Sequence, residues 1–151
     1  MKWFTRSRLL SHVDGPKVTA AIGAAELKTS GEIRVSVAPF FWGSVQREAG
    51  RAFDRLGMHA TQQRNAVLIF VVPARRKFAL VGDEGIHAAV GQAFWDKLAA
   101  LLSARFREGD FTGGLTDCIH EIGVQLAAHF PHQGEREANE LSDQVDFGGT
   151  S

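Results

Sequence analysis

Residues 65–86, NAVLIFVVPARRKFALVGDEGI, constrain the fold of this chain more than any other stretch. Ala66 to Val72 is a continuous apolar run rich in β-branched residues, the pattern of a strand buried on both faces. Pro73 cannot donate to a ladder and ends the strand. Arg75, Arg76 and Lys77 then supply a solvated turn, and Phe78 to Val81 resume apolar character until Gly82, Asp83, Glu84 and Gly85 interrupt it. Two strands joined by a short charged turn pair antiparallel. The acidic Gly82–Gly85 loop is therefore expected beside Asn65, at one end of a central sheet.

The flanking segments supply the layers such a strand needs. Asp14 before Gly15-Pro16 is a capping carboxylate followed by proline in the first turn, and Val18, Ile22 and Ala25 recur at helical spacing. A helix is expected over 16–29, ending at Ser30-Gly31. Ile33, Val35 and Val37 alternate with Arg34 and Ser36, a half-buried strand closed by Pro39. Phe40, Phe41, Trp42 and Gly43 form an aromatic loop, and Ser44 can cap a second helix that Gly57 terminates. Residues 86–90 read as one short helical turn. Longer helices are expected over 92–106 and 112–129.

A strand–helix–strand unit crosses right-handed and leaves its strands parallel. With two to four strands, helices must cover both faces. The expected fold is α/β: a three-layer α/β/α sandwich around a small mixed sheet. Parallel pairing then puts Glu32, Asn65, Asp83 and Glu84 at one acidic end of the sheet. The aromatic loop and the Arg75–Lys77 turn lie at the other.

A chain of 151 residues is one domain of ordinary size. Its single cysteine, Cys118, excludes an internal disulfide and fits a buried structural thiol. No run approaches the roughly 20 apolar residues of a bilayer span. The basic N-terminal stretch lacks the apolar core of a signal peptide, so a soluble, cytoplasmic protein is expected. Residues 1–13, with Trp3, Phe4, Leu9 and Leu10, read as a short basic amphipathic segment. Such a segment packs on the domain or touches a membrane surface. Residues 132–151 read as an acidic tail, flexible from Gly134 onward. Formal charge is zero, yet residues 1–81 hold 13 Lys/Arg against 5 Asp/Glu, and residues 82–151 hold 4 against 12. That asymmetry either marks a basic face for an anionic partner or lets the two halves attract each other.

Several phrases resemble the TPM domain family. They are Thr29-Ser30-Gly31-Glu32-Ile33-Arg34-Val35, Leu56-Gly57, Asn65-Ala66-Val67-Leu68, Arg76-Lys77-Phe78 and Val81-Gly82-Asp83-Glu84-Gly85-Ile86. Phe94-Trp95, Phe106-Arg107-Glu108-Gly109-Asp110-Phe111, Gly113-Gly114-Leu115 and Ala128-His129-Phe130-Pro131 continue the series in order. The resemblance covers residues 14–131 and implies an α/β/α sandwich. It also implies a choice of roles: acid phosphatase activity in a photosystem-repair branch, divalent-cation binding, or accessory subunits of membrane receptors. The chain looks like a short bacterial member. Where the family often has Asp-Asn-Gly, this chain has Arg64-Asn65-Ala66.

Candidate sites follow. Glu32, Asn65, Asp83 and Glu84 are the candidate ligands for Ca²⁺ or Mg²⁺, and no other cofactor is indicated. Calcium takes about six to eight oxygen ligands, so a guanidinium at Arg64 weakens such a site, or pairs with Asp83 or Glu84 in place of a metal. Bland glycine-flanked turn chemistry explains the same acids. The alternative reading is a metal-dependent acid phosphatase-like hydrolase centred on Asp83, Glu84 and Asn65, with Asp83 the best nucleophile and Arg64 a clamp, although no phosphate-cradling loop with Lys-Ser/Thr is present. The six histidines show no HExxH or other metal spacing. Phe41, Trp42, Arg75 and Arg76 are the candidate partner-binding residues: either the aromatics fold onto the core or they present an apolar patch beside arginines. The leading reading is a non-enzymatic domain with an accessory or regulatory binding role. Its partner is a protein, membrane-associated if the receptor-accessory branch is the guide. Nucleic acid is not expected.

Overall fold

A computed structural model describes residues 12–132 and 144–148. Helix α1 (Gly15–Glu26) leads into strand β1 (Glu32–Val37), helix α2 (Val45–Arg55), strand β2 (Ala66–Val72) and strand β3 (Lys77–Gly82). Helices α3 (Glu84–Val90), α4 (Gln92–Arg107) and α5 (Phe111–His129) complete the domain. The sheet order is β1-β2-β3, with β1 parallel to β2 and β3 antiparallel to it. This is the expected α/β/α sandwich.

All seven residues of β2 are buried, and its alternation divides the core in two. Val67, Ile69 and Val71 join Ile33, Val35 and Val37 against α1, α3, α4 and α5. Ala66, Leu68, Phe70 and Val72 face α2 through Val45, Ala49, Ala52 and Phe53. Period-2 alternation sends successive side chains to opposite faces, so a wholly apolar strand demands both layers. Cys118 sits fully buried in the larger core, where burial pushes its thiol pKa up. It is an inert packing residue.

Helix boundaries follow local chemistry. Asp14 and Ser44 accept the amides of Lys17 and Arg47 at 3.1 Å each, as capping residues should. Gly57 closes α2 in the left-handed region, with φ 68°. The α4–α5 corner is held by Asp110, which accepts Gly113 N–H at 2.9 Å and Arg105 Nη1–H at 2.6 Å.

The Thr29–Glu32 phrase is a clasp between α5 and β1. Buried Thr29 donates its hydroxyl towards the carbonyls of Leu126 (3.1 Å) and Phe130, and accepts Gly31 N–H at 3.0 Å. Ser30 N–H donates to Phe130 O at 3.0 Å. A Cβ on Gly31 would meet Leu126 Cδ2 at 2.6 Å, so glycine is required there for close approach.

Two expectations change. The acidic Gly82–Gly85 segment is not a loop: Gly82 ends β3, Asp83 is the N-cap of α3, and Glu84 already lies in its first turn. The tail was expected to be flexible from Gly134, yet residues 144–148 lie along the outer edge of β1. Asp146 N–H donates to Val35 O at 2.9 Å and Asp146 O accepts Val37 N–H at 2.7 Å. An edge strand offers unpaired backbone groups, and this segment satisfies two of them. The proposed amphipathic behaviour of residues 1–13 falls almost wholly outside the described residues; of that segment, Val13 is buried in the core.

Thr29→Val keeps the volume and removes the hydroxyl from three partners. The expected loss is about 1–3 kcal/mol of stability, read from the urea midpoint at unchanged slope.

Candidate functional site

Parallel register sets Glu32 opposite Ala66, and the hairpin sets Gly82 opposite Val67. Glu32 N–H donates to Asn65 O at 3.4 Å and Asp83 N–H to Ala66 O at 2.9 Å. Glu32, Asn65 and Asp83 therefore share one rim, as the topology requires. All three are buried, whereas the Glu84 side chain is largely exposed.

Arg64 occupies the centre of that rim. Its Nε–H donates to Asp83 Oδ2 at 2.6 Å and its Nη2–H to Asp83 Oδ1 at 2.9 Å, a two-pronged pair. Arg64 Nη1 lies 3.3 Å from Glu84 Oε1, so one guanidinium spans both acids. Its backbone takes part as well. At φ 51° Arg64 is in the left-handed region, a strain of roughly 1–2 kcal/mol for a non-glycine residue. That turn aims its carbonyl at α3, where it accepts Gly85 N–H at 2.8 Å and Ile86 N–H at 3.3 Å.

The glycines of the acidic phrase serve close approach rather than unusual dihedrals, since neither has positive φ. A Cβ on Gly85 would lie 2.2 Å from Gln63 O and 2.7 Å from Arg64 O. One on Gly82 would strike the Trp95 indole at 2.5 Å. Trp95 in turn donates Nε1–H to His87 Nδ1 at 2.9 Å.

Asp83 is fully engaged. Besides Arg64, its Oδ1 accepts Glu84 N–H at 2.8 Å as the cap of α3. Burial pushes its pKa up, but the Arg64 hydrogen bond, the Glu84 amide and the charges of Arg64 and His59 outweigh burial and hold it below the usual carboxylate range. Asn65 donates Nδ2–H to Ser30 Oγ at 3.3 Å, and its amide N–H donates to Thr61 Oγ1 at 3.2 Å. These contacts tie the rim together, and Asn65 Oδ1 is left buried with no hydrogen-bond partner among the described residues. Among the described residues no cluster of three or more His, Cys, Asp or Glu has the arrangement of a metal site. A divalent cation would have to displace the Arg64 guanidinium, so the residues present do not fit one.

Ser30, His59 and Thr61 belong to this rim and were not singled out in the sequence. His59 Nε2 lies 2.8 Å from Asp54 Oδ1, and its Nδ1 lies 3.1 Å from Arg64 Nη2. The available signal was position alone: all three flank the Glu32 and Asn65 strand starts.

The opposite end of the sheet separates the four candidate partner-binding residues. Phe41 packs on Phe70, with ring centroids 6.3 Å apart, while Trp42 is 88% exposed and Phe40 48%. Arg75 donates Nη1–H to the carbonyls of Phe41 (3.1 Å) and Gly43 (2.9 Å), and its guanidinium lies 5.4 Å from the Phe41 ring centroid. Arg76 turns elsewhere and donates to Arg107 O at 2.8 Å, at the end of α4. The aromatics thus split, one inward and two outward, and only Arg75 of the two arginines joins them.

A three-layer α/β/α domain with an arginine-filled rim and an exposed aromatic end is the class these features define. The TPM domain family matches residues 5–125, and the chain belongs to that family. It is similar to the BA42 protein from the psychrophilic bacterium Bizionia argentinensis: 33% identity, TM-score 0.82, covering 92% of this chain and 94% of that one. The fold is also shared with the N-terminal domain of the cg2496 protein from Corynebacterium glutamicum (16% identity, TM-score 0.58, covering 74% and 70%). An N-terminal domain of a protein from P. gingivalis has the same fold (15% identity, TM-score 0.60, covering 76% of each chain). No curated protein matches the chain. No helix among the described residues is long and apolar enough to cross a membrane.

Asp83 gains its stabilising interactions only when ionised, and its folded pKa is depressed. Its contribution is therefore fully present above the ordinary carboxylate pKa near ~3.9 and is lost as pH falls through the lower folded value. Arg64→Asn tolerates the left-handed backbone and removes the guanidinium. It should lower the melting temperature at pH 7 by roughly 5 °C and narrow the stability difference between neutral and acid pH. Unchanged melting at both would show that the pair is ornamental. Gly85→Ala drives a methyl into two carbonyls and should cost about 2–3 kcal/mol in chemical denaturation.

Proposed function

We propose that this TPM domain acts by binding a protein partner, in an accessory or regulatory role, and neither holds a structural divalent cation nor hydrolyses a phosphate ester. The observation that carries the reading is the two-pronged Arg64–Asp83 pair. A guanidinium supplies the positive charge that a cation would bring to this rim. A nucleophilic Asp83 would have to leave both Arg64 and the α3 cap. While the pair holds, Arg64 is committed to carboxylates and is not free to clamp a phosphate.

The exposed end is the surface on which a partner would dock. Trp42 and Phe40 stack edge to face at 4.8 Å and stand out from the surface, with the Arg75 guanidinium 6.0 Å from the Phe40 ring centroid. An exposed aromatic next to arginine is the composition of interface anchors.

Millimolar Ca²⁺ or Mg²⁺ should leave the melting temperature of the protein unchanged. A rise that grows with the logarithm of metal concentration is the signature of native-state binding and would overturn the reading. Trp42→Ala should fold normally and lose captured partners in a pull-down, while Arg76→Ala should keep them.

A further inference from the structure

The acidic tail segment 144–148 is built as a ligand. Its alternation is that of a strand: Val145 and Phe147 pack against the larger core, and Asp146 points to the other face. There the Asp146 carboxylate accepts Ser36 Oγ–H at 2.8 Å and Arg55 Nη2–H at 2.9 Å. Burial pushes the Asp146 pKa up, yet Arg55, Ser36 and the Gly148 amide together hold it down. The segment therefore reads β1 as a docked peptide does, with backbone hydrogen bonds for affinity and alternate side chains for specificity.

This cis contact is short. Among the described residues, Asp146 alone forms a ladder bridge with the outer edge of β1, and residues 133–143, eleven positions, separate the segment from the domain in sequence. Gly148 has φ 90°, outside the strand region. Beyond it the groove continues. A concavity of about 600 Å³ runs from Gly148 past Ser36, Ala38 and Arg55 to Phe41 and Trp42. An extended partner chain continuing along β1 would enter this space and reach the exposed Trp42.

We propose that the outer edge of β1 is a strand-docking site for an extended partner peptide of the form apolar–Asp–apolar, and that the chain's own Val145-Asp146-Phe147 occupies it in cis as a competing ligand. The proposal rests on the binding reading given above and names the partner's chemistry. The partner strand runs parallel to β1, its aspartate between Ser36 and Arg55, its flanking residues on the core face and its continuation against Trp42. The tail sets the threshold, since a tethered competitor is present at high effective concentration.

The test uses the full-length chain and a fluorescent peptide of residues 141–151. Asp146→Lys sets an ammonium against Arg55 and should release the tail while leaving the domain intact; Phe147→Asp is a second release variant. Both variants should bind the peptide about tenfold more tightly than the native chain, because the competing fraction is removed. A peptide with lysine at the Asp146 position should not bind either variant. Adding Arg55→Glu to the Phe147→Asp chain should reverse that preference. Equal affinity in native and released chains, or no peptide binding in any, would overturn the proposal. So would a native dimer that the peptide dissociates, which would make a second copy the occupant. Trp42→Ala separates the two levels. Trp42-dependent partner capture without peptide binding sinks strand docking alone. Peptide binding without any Trp42-dependent partner upholds docking and sinks the aromatic-end reading.

Discussion

The dry, two-faced burial of β2 is the constraint from which the rest of the structure follows. Its seven residues are apolar and buried, so each backbone N–H and C=O must find a partner inside the protein. One partner strand must lie on each side, and the sequence offers them in two different ways. The charged Pro73–Arg75 turn is too short for anything but an antiparallel return. The α2 connection from β1 is long enough for a parallel crossover. The side chains then demand a helical layer on each face, and α2 supplies one while the other helices supply the second.

That geometry collects strand starts, and hence acids, at one rim. Glu32, Asn65 and Asp83 cannot be far apart once β1 and β3 flank β2. Concentrated, partly buried negative charge is costly without a counter-charge, and Arg64 supplies it by side chain while its carbonyl anchors α3. Two further ion pairs join the basic first half of the chain to its acidic second half: Arg64 with Glu84 and Arg55 with Asp146. The uneven charge of the sequence is thus in part an internal adhesive. The opposite end is built differently: Arg75 satisfies the Phe41 and Gly43 carbonyls, and Phe40 and Trp42 are not absorbed by the core.

Much of this was legible because it is local. The β2 run, the Asp14 and Ser44 caps, the Gly57 stop and the shared rim all follow from neighbours within a few positions or from one topological rule. The misreadings have equally physical causes. Asp83-Glu84 reads as a loop tip, since nothing nearby reveals that Arg64 O will cap a helix starting there. Arg75 and Arg76 look alike in sequence, but Arg76 adopts φ 51° and is turned toward α4. The tail contact at residues 144–148 was invisible because a three-residue apolar–Asp–apolar pattern carries no periodicity. Only the free edge of β1, 110 residues earlier in the chain, gives it meaning. Ser30, His59 and Thr61 were missed because each is unremarkable alone and matters only by where the strands begin.

The most direct measurement is a high-resolution crystal structure of the protein grown in millimolar CaCl₂. The account predicts that Arg64 still grips both oxygens of Asp83, with no ion between Asp83, Glu84 and Asn65. An ordered cation bound by those residues, with the Arg64 side chain swung out to solvent, would contradict it.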